Sequence, residues 1–448
     1  MSVTSYNPAD PTDLVVEAPA PGAEGVAAAV ARARAAQPGW LAAGAAARSA
    51  ALGKAADAIA GRAEELAALM LREVGKPLSE ARGEVGRAVA ILRYYAQAPF
   101  GQVGELHDTA AGPGLLYTRR KPYGVAGLVT PWNFPLAIPV WKLAPALATG
   151  NTVVLKPAPE ATALGLRLAE LMDLPADVLT AVPGGAEEGT ALVGAADIIS
   201  FTGSTGVGRF VVRTAAERGV PVQAEMGGAN TAIVLPGADI EQAAAHLAYA
   251  IAGYAGQKCT ATGRVVAVGD TYGPLREALA KAIPAVEGGP VINEAARTKL
   301  AGAIDSAVAG GAVAVTGGQV PEQDGWFIEP TLLESVPEGH SLLTEEFFGP
   351  LAVLLPAADL DEALAIANAT PHTLSASVHT TQLDVAMAAA DRLNAGMVRI
   401  NAPSSGVDFH LPFGGSGAAS YGSREQGRAA LEFYTTTRTV SLLPAGTI

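Results

Sequence analysis

A repeated order of apolar segment, turn and helix-like segment between residues 124 and 228 constrains the fold more than any other feature of the sequence. Five short segments have the composition of buried strands: 125–129, 152–155, 178–182, 198–201 and 220–224. Segments of helical periodicity alternate with them: 138–148, 161–172, 187–193 and one that ends at 217. Such alternation is typical of a parallel, doubly wound sheet with helices on both faces.

Polar residues stand at or just after the ends of four of these apolar segments: Asn133, Lys156, Ser204 and Glu225. Ligands of parallel sheets bind at the carboxyl ends of the strands. The four have simpler interpretations as a turn residue, a solvated lysine, a tight glycine turn and a capping carboxylate. As functional groups they are an oxyanion donor, a ribose ligand, a phosphate-binding turn and a general base.

A second α/β unit follows residue 228. Its strands are predicted near 232–235, 265–268, 312–315, 351–355, 376–379 and 396–400. Its helices are predicted at 241–254, 294–309, 360–369 and 382–393, with a short helix at 425–431 and an extended segment at 433–443. Residues 22–74 and 78–95 are predicted to be helical. The segment 115–120 is extended, either as a surface hairpin or as a strand that pairs with another subunit.

Length and composition limit the classes of protein. A chain of 448 residues predicts two or three domains, and its net charge of −13 argues against nucleic acid or anionic membrane partners. One cysteine excludes an intrachain disulfide and a cysteine-based zinc site. The six histidines do not fall at metal-ligand spacing, so we expect surface or hydrogen-bonded histidines and no metal. Without a secretory segment or an apolar run of 18 residues, the sequence predicts a cytoplasmic protein.

Cys259, the single cysteine, lies in a polar segment flanked by Gly256 and Gly263. A helix-like run precedes this segment and an apolar strand follows it. A thiol on such a connection is partly accessible to a base or to backbone N–H groups, as a nucleophile requires. The alternative interpretation is an ordinary buried cysteine.

Seven motifs occur in one order along nearly the whole chain: Thr130-Pro131-Trp132-Asn133-Phe134-Pro135, Lys156-Pro157, Phe201-Thr202-Gly203-Ser204-Thr205, Glu225-Met226-Gly227-Gly228, Gln257-Lys258-Cys259, Glu346-Phe347-Phe348-Gly349-Pro350 and Pro412-Phe413-Gly414-Gly415. Together they resemble the aldehyde dehydrogenase superfamily, and the 34-residue step from Glu225 to Cys259 fits its spacing. The resemblance implies NAD(P)-dependent oxidation of an aldehyde to a carboxylic acid.

By this resemblance, the Cys259 thiolate attacks the aldehyde carbon. The Asn133 amide and the Cys259 backbone N–H stabilise the thiohemiacetal oxyanion, each contributing about 3–4 kcal/mol. Hydride transfer leaves a thioester, which water activated by Glu225 hydrolyses. Two alternatives remain. One is an enzyme that transfers the acyl group to coenzyme A, against which the presence of Glu225 argues. The other is a catalytically idle relative.

The resemblance also implies cofactor ligands at seven positions: Val129, Trp132, Lys156, Gly203, Ser204, Glu346 and Phe348. Lys142 and Glu425 match a second, inner proton relay. Pro159 stands where NAD-selective relatives carry a glutamate, so NADP as well as NAD is an expected cofactor. Gly206 replaces an acidic residue, and the segment 272–299 is shorter than usual for the superfamily.

The segments 400–410, 420–427 and 432–435 are similar to the branch that oxidises 2-oxoglutarate semialdehyde. The expected substrate funnel consists of Phe134, Trp141, Phe413 and the loop 402–411. An acidic substrate requires a cationic anchor, and the sequence pattern does not place one. The alternative substrate is an apolar or aromatic aldehyde.

The resulting fold prediction is an α/β chain of three parts. A Rossmann-like cofactor domain comprises 1–104 and 123–226, with 420–431 returning to it, and a second α/β catalytic domain comprises 227–419. A small β arm for oligomerisation comprises 105–122 and 432–448. The expected partners are a small aldehyde and further copies of the chain, as a dimer or tetramer.

Overall fold

The computed structural model describes residues 2–101, 103–110 and 112–444. The strands in that part of the chain are β1 Ser2–Asn7, β2 Asp10–Pro19, β3 Leu106–His107, β4 Leu115–Pro122, β5 Val125–Val129, β6 Thr152–Lys156, β7 Leu179–Ala181, β8 Ile198–Thr202, β9 Val222–Glu225, β10 Asn230–Val234, β11 Thr262–Val268, β12 Val313–Thr316, β13 Thr331–Glu334, β14 Leu351–Ala357, β15 His372–Thr373, β16 Ser375–His379, β17 Met397–Ile400, β18 Ser416–Gly417, β19 Ser420–Tyr421 and β20 Thr435–Leu442.

The α-helices are α1 Gly22–Ala42, α2 Gly44–Ala60, α3 Ala63–Val74, α4 Leu78–Ala96, α5 Ala137–Ala148, α6 Thr162–Met172, α7 Ala186–Ala195, α8 Thr205–Arg218, α9 Ile240–Ala252, α10 Tyr272–Ala282, α11 Glu294–Ala309, α12 Leu360–Asn368, α13 Leu383–Arg392 and α14 Gly427–Phe433. No helix within the described residues combines the length and the apolar character that crossing a membrane requires.

The first sheet has the strand order β19-β9-β8-β5-β6-β7. Every pair in it is parallel except β19 with β9. The strands β5, β6 and β8 are buried along almost their whole length, because helices cover both faces of the sheet. The predicted parallel sheet is therefore confirmed.

The second sheet has the strand order β12-β13-β14-β11-β10-β16-β17 and is parallel except where β12 meets β13. All six predicted strands belong to it. The sequence analysis missed β13, a four-residue strand after Pro330, and it missed α10. It also missed the β1–β2 hairpin, in which the longest apolar run, Leu14-Val15-Val16, has only three residues.

A third sheet has the strand order β20-β4-β3, and most of its residues are exposed or half-buried. Pairing of β20 with β4 runs without interruption from Thr435 opposite Pro122 to Leu442 opposite Leu115. The extended segments predicted at 115–120 and 433–443 are therefore present as β4 and β20, except that Phe433 is the last residue of α14 and the strand begins at Thr435. Residues 111 and 445–448 of the predicted arm lie outside the described residues.

Helix α4 packs against α5 in the core of the first unit. Its buried face contains the predicted residues Val85, Val89, Leu92 and Tyr95. The chain passes directly from Glu225 at the end of β9 to Asn230 at the start of β10. The carboxyl ends of the first sheet therefore face the amino ends of the second, and the predicted polar residues lie in this junction.

The C-terminal helix begins later than predicted. Gln426 has a φ of 62°, which is outside the helical region, and α14 starts at Gly427. Glu425 instead pairs with Phe413 through two backbone hydrogen bonds of 2.7 and 2.8 Å. Because of this bridge, Glu425 lies before α14 and not in its first turn, and its side chain is buried.

Candidate active site

Cys259 follows an unusual turn. In the 3-10 segment Gly253–Gly256, the φ values of Tyr254 and Ala255 are 51° and 49°, a conformation that costs non-glycine residues about 1–3 kcal/mol each. Gly256 also has a positive φ, and a Cβ there would lie 2.2 Å from the carbonyl oxygen of Gly349. The glycine is therefore required, and the turn places the half-buried Cys259 three residues before β11.

Asn133 lies beside this turn although it comes from the first sheet. Its side-chain amide, in the loop after β5, donates a 3.0 Å hydrogen bond to the carbonyl oxygen of Gln257, two residues before the cysteine. Asn133 is buried. Asn230 supports the other side of the turn by donating to the carbonyl oxygens of Cys259 and Ala261, at 2.8 and 2.9 Å. The structure thus brings a primary amide to the cysteine loop.

Glu225 is buried at the end of β9. One carboxylate oxygen accepts a hydrogen bond from Ser420, and the other has no partner within the described residues. Gly414 approaches so closely that a Cβ there would lie 2.8 Å from this second oxygen. Burial, and then the charge of Glu425, hold the pKa of Glu225 well above its usual range.

The electrostatic surroundings keep the thiol protonated. Burial raises the pKa of Cys259, and three neighbouring carboxylates raise it further: Glu346, Glu225 and Glu425. Because thiolate is the reactive form, a base must accept the thiol proton when the cysteine attacks. A carboxylate whose pKa is raised, as that of Glu225 is, accepts a proton more readily than an ordinary carboxylate.

Lys142 and Glu425 form a fully buried ion pair behind this site. The ammonium group also donates a 2.8 Å hydrogen bond to the Ser200 hydroxyl, and the Trp141 indole donates a 2.6 Å bond to Glu425. Burial lowers the pKa of Lys142, an effect opposed by Glu425. The structure therefore joins both predicted relay residues. It adds Ser200, which the sequence analysis missed because it lies inside β8.

The predicted cofactor residues occupy the carboxyl edge of the first sheet. Lys156 ends β6, where its ammonium donates to the carbonyl oxygens of Pro157 and Gly184 at 2.9 and 2.8 Å. Burial lowers its pKa to about 8. Val129 ends the adjacent strand β5 and pairs with Lys156 in the sheet.

The N-terminus of α8 fits a phosphate group. Ser204 is exposed and makes no side-chain hydrogen bond to the helix, the first turn contains no acidic residue, and the space beside Gly206 is open. At Gly203 a Cβ would lie 2.6 Å from the Phe201 ring, so this turn requires glycine. Helix N-termini of this kind bind the pyrophosphate of dinucleotides, and the residues present therefore fit the expected cofactor.

Glu346, Trp132 and Phe348 lie together at the junction of the two units. The Trp132 and Phe348 rings meet edge to face with centroids 5.6 Å apart. Glu346 accepts a 3.2 Å hydrogen bond from the Gly228 N–H, and burial raises its pKa to about 7. All seven predicted cofactor residues thus border one edge of the first sheet or the strand junction.

A funnel of about 460 Å³ leads to the cysteine. The three predicted aromatic residues Phe134, Trp141 and Phe413 line it, together with Cys259 and residues 405–407 of the predicted loop. The remaining wall residues are Ser79, Glu80, Gly83, Glu84, Arg87, Tyr249, Lys258 and Thr260. The funnel is apolar on the aromatic side and charged on the side of α4.

Arg87 is the funnel residue that the sequence analysis missed. Its Nε is buried and has no hydrogen-bond partner within the described residues, and its guanidinium carbon lies 5.9 Å from the centroid of the Trp141 ring. The other charged residues of the wall are paired, Glu80 with Lys258 and Glu84 with Lys76. The spacing of Glu80, Glu84 and Arg87 on one face of α4 is the sequence signal that predicts this cluster.

One expectation about the histidines was wrong. His379 is buried, and its Nε2 has no hydrogen-bond partner within the described residues. Its ring lies 5.7 Å from that of His246, and burial lowers the pKa of His379 to about 4. The packing of α9 on the second sheet brings these two histidines together, His379 buried and His246 half-buried.

Comparisons with known proteins extend over the whole site. Residues 1–440 match the model of the aldehyde dehydrogenase family. The chain is 38% identical to alpha-ketoglutaric semialdehyde dehydrogenase of Bacillus subtilis (98% of this chain, 94% of the relative). It is 39% identical to alpha-ketoglutarate semialdehyde dehydrogenase of Haloferax volcanii (97% and 94%).

Solved structures are also similar to this chain over nearly its whole length. The chain is similar to PnpE in complex with nicotinamide adenine dinucleotide, with a TM-score of 0.96, 35% identity and coverage of 100% of this chain and 95% of that one. The NAD+ complex of an aldehyde dehydrogenase from Bacillus cereus has a TM-score of 0.95 and 33% identity, with coverage of 99% and 93%. The chain belongs to the aldehyde dehydrogenase family.

Proposed function

We propose that this NAD(P)-dependent aldehyde dehydrogenase hydrolytically oxidises a short semialdehyde that carries a carboxylate at its far end. The observation that carries the proposal is Arg87, a funnel-lining cation beside Trp141 that forms no ion pair within the described residues. Its Nη2 donates a long hydrogen bond of 3.4 Å to Gln426, and its buried Nε has no hydrogen-bond partner in the described part of the chain. A dicarboxylate-type chain extending from Cys259 meets this cation. The names of the Bacillus and Haloferax relatives favour 2-oxoglutarate semialdehyde within this class.

The catalytic roles follow from the contacts described above. Cys259 forms the thiohemiacetal and then the thioester, and the Asn133 amide with the Cys259 N–H stabilises the oxyanion. Glu225 receives the thiol proton and activates the hydrolytic water. The Lys142–Glu425 pair, next to Ser200, connects the neighbourhood of Glu225 with the protein interior for proton exchange.

The bound nicotinamide supplies a hydride acceptor. We assign its dinucleotide to the ligands Val129, Trp132, Lys156, Gly203, Ser204, Glu346 and Phe348. Pro159 carries no carboxylate to repel a 2′-phosphate, so we propose that both NAD and NADP are accepted. The cofactor domain in this proposal comprises 1–104, 123–226 and 420–431, and the catalytic domain comprises 227–419.

A substrate panel tests the proposed substrate class. We expect kcat/KM for 2,5-dioxopentanoate to exceed that for benzaldehyde. Arg87→Met should lower kcat/KM for the acid by about 100-fold, because loss of a buried charged contact costs 2–5 kcal/mol. The value for benzaldehyde should stay within about threefold, since this substrate has no carboxylate. NADH or NADPH formation at 340 nm gives both values.

The matched control is Arg93→Met, which removes an exposed arginine from the same helix. It should leave both substrates unaffected. An equal loss for the acid and for benzaldehyde in Arg87→Met, or no loss for either, would contradict the proposed anchor.

We also propose a homo-oligomer, either dimer or tetramer, with the arm of residues 105–122 and 432–448 at the subunit contact. The strands β3 and β20 are the edges of the arm, and they expose Leu106 and Leu442. Exposed apolar edges require a partner or cover. The expected cytoplasmic location stays a prediction, testable by cell fractionation.

Light scattering tests the assembly. We expect a mass of two or four times 45.1 kDa. Leu106→Lys/Leu442→Lys should shift the protein towards monomer, whereas Leu71→Lys, an equally polar change at an exposed leucine of α3, should not. A monomer for the unmodified chain would reject the proposal.

A further inference from the structure

Lys76 is a fully buried cation that the catalytic scheme does not use. Its ammonium group pairs with the Glu84 carboxylate and donates a 2.7 Å hydrogen bond to the backbone carbonyl oxygen of Asn133. It also lies 3.8 Å from the centroid of the Phe134 ring and 4.5 Å from that of Tyr254. A buried ion pair is weak support for stability alone, because removing both charges from water is costly.

The partners of Lys76 belong to the two loops that carry the oxyanion donors. Asn133 and Phe134 are in the loop after β5, and Tyr254 is in the left-handed turn before Cys259. Among the hydrogen bonds described above, only the one from the Asn133 amide to the Gln257 carbonyl oxygen joins these two loops directly. Lys76 is thus a second contact between them, placed behind the first.

Glu84 completes this arrangement from α4. One carboxylate oxygen accepts the backbone N–H groups of Leu136 and Ala137, each at 2.9 Å, and the other pairs with Lys76. These two N–H groups stand where the Asn133 loop ends and α5 begins. The loop is therefore held at its end by Glu84 and at the Asn133 carbonyl by Lys76.

We propose that Lys76, held by Glu84, is a positioning residue that fixes the Asn133 side chain against the Cys259 loop and so sets the geometry of the oxyanion site. The inference rests on the proposed role of Asn133 as an oxyanion donor. Lys76 does not line the funnel, and it acts through Asn133 and Tyr254. Glu84 does belong to the funnel wall, but both of its carboxylate oxygens are engaged, one by Lys76 and the other by the N–H groups of Leu136 and Ala137. The loss of Lys76 should therefore impair the chemical step more than the binding of aldehyde.

The test uses Lys76→Met/Glu84→Gln, which removes both buried charges together and leaves a side-chain oxygen for the N–H groups of Leu136 and Ala137. We expect kcat to fall by about 10- to 100-fold, because small misplacement of a catalytic group has effects of this size. KM for the aldehyde should stay within about threefold, and the thermal unfolding midpoint within a few degrees. Unchanged kcat in this folded variant would overturn the inference.

A double-mutant cycle with Asn133→Ala shows whether Lys76 acts through Asn133. In that background the Lys76/Glu84 change should have little further effect, since the group to be positioned is already absent. Fully additive losses of kcat would overturn the inference while leaving the role of Asn133 intact. Normal kcat in Asn133→Ala alone would refute the oxyanion role, and the inference with it.

The control is Arg276→Met/Glu334→Gln, which removes a 2.8 Å ion pair between α10 and β13, outside the funnel. Its kcat should be unchanged. If the Lys76/Glu84 variant does not fold, Glu84→Asp keeps both charges and withdraws the carboxylate by one methylene. We expect kcat to fall about 3- to 10-fold in Glu84→Asp, and normal kcat there would overturn the inference.

Discussion

Cys259→Ala should abolish NAD(P)H formation, lowering kcat by about 10⁴-fold or more, as loss of a catalytic nucleophile does in other enzymes. The chain contains no other cysteine, so no second thiol can replace Cys259 in the covalent step. The proposed cofactor ligands lie on the first sheet and at the strand junction, so cofactor binding should persist. Absorbance at 340 nm measures turnover, and isothermal titration calorimetry measures cofactor binding.

Alkylation provides the control for this variant. Iodoacetamide should label the unmodified protein once, at Cys259, and should inactivate it in proportion to labelling, whereas the alanine variant should take up no label. The raised pKa of the half-buried thiol predicts faster labelling as pH increases above neutrality. Undiminished turnover in Cys259→Ala would overturn the assignment of the nucleophile.

Glu225→Gln should lower steady-state turnover by about 10³-fold, since a positioned general base contributes 10²- to 10⁴-fold. Glutamine has the same shape and still accepts the hydrogen bond from Ser420, so the loss should reflect the missing base. We expect thioester hydrolysis to depend on Glu225 more strongly than the attack of Cys259 does, so the variant should form about one equivalent of NAD(P)H per site and then stall. Rapid-mixing absorbance resolves this burst from later turnovers.

The absence of a burst would contradict that division of roles. It would show that Glu225 is already required when the thiol loses its proton, before hydride transfer.

Assays with and without coenzyme A test whether the thioester is hydrolysed or transferred to coenzyme A. Turnover of the unmodified enzyme should proceed without it, and a strict requirement for coenzyme A would reject hydrolysis in favour of acyl transfer.

The sequence was sufficient to predict most elements of both α/β units. Apolar runs such as those of β5, β6 and β11 are buried on both faces, and this burial leaves a clear pattern in the sequence. Short or polar strands leave a weaker pattern. β13 and the β1–β2 hairpin were missed because neither has a long apolar run, and pairing with neighbouring strands defines them.

The individual chemical groups were also visible in the sequence. Asn133, Glu225 and Cys259 stand at turns that follow or precede strands, and ordered motifs around them resemble one family. The sequence did not show that these three residues lie close together. Their proximity results from the meeting of the carboxyl ends of the first sheet with the amino ends of the second, and from the hydrogen bond that joins Asn133 to Gln257.

The sequence by itself determined the α/β class, the order of the elements and the family, because buried strands and glycine-dependent turns restrict which residues a position accepts. Only the tertiary structure showed that Arg87 lines the funnel with a buried Nε that has no partner within the described residues, and that Lys76 contacts both oxyanion loops. The physical reason is that a charged residue on a helix has the same local pattern whether it faces solvent or a buried site. Its surroundings are set only when distant segments pack together. Packing gives Lys76 the partner Glu84, and it leaves the Arg87 Nε without a partner within the described residues.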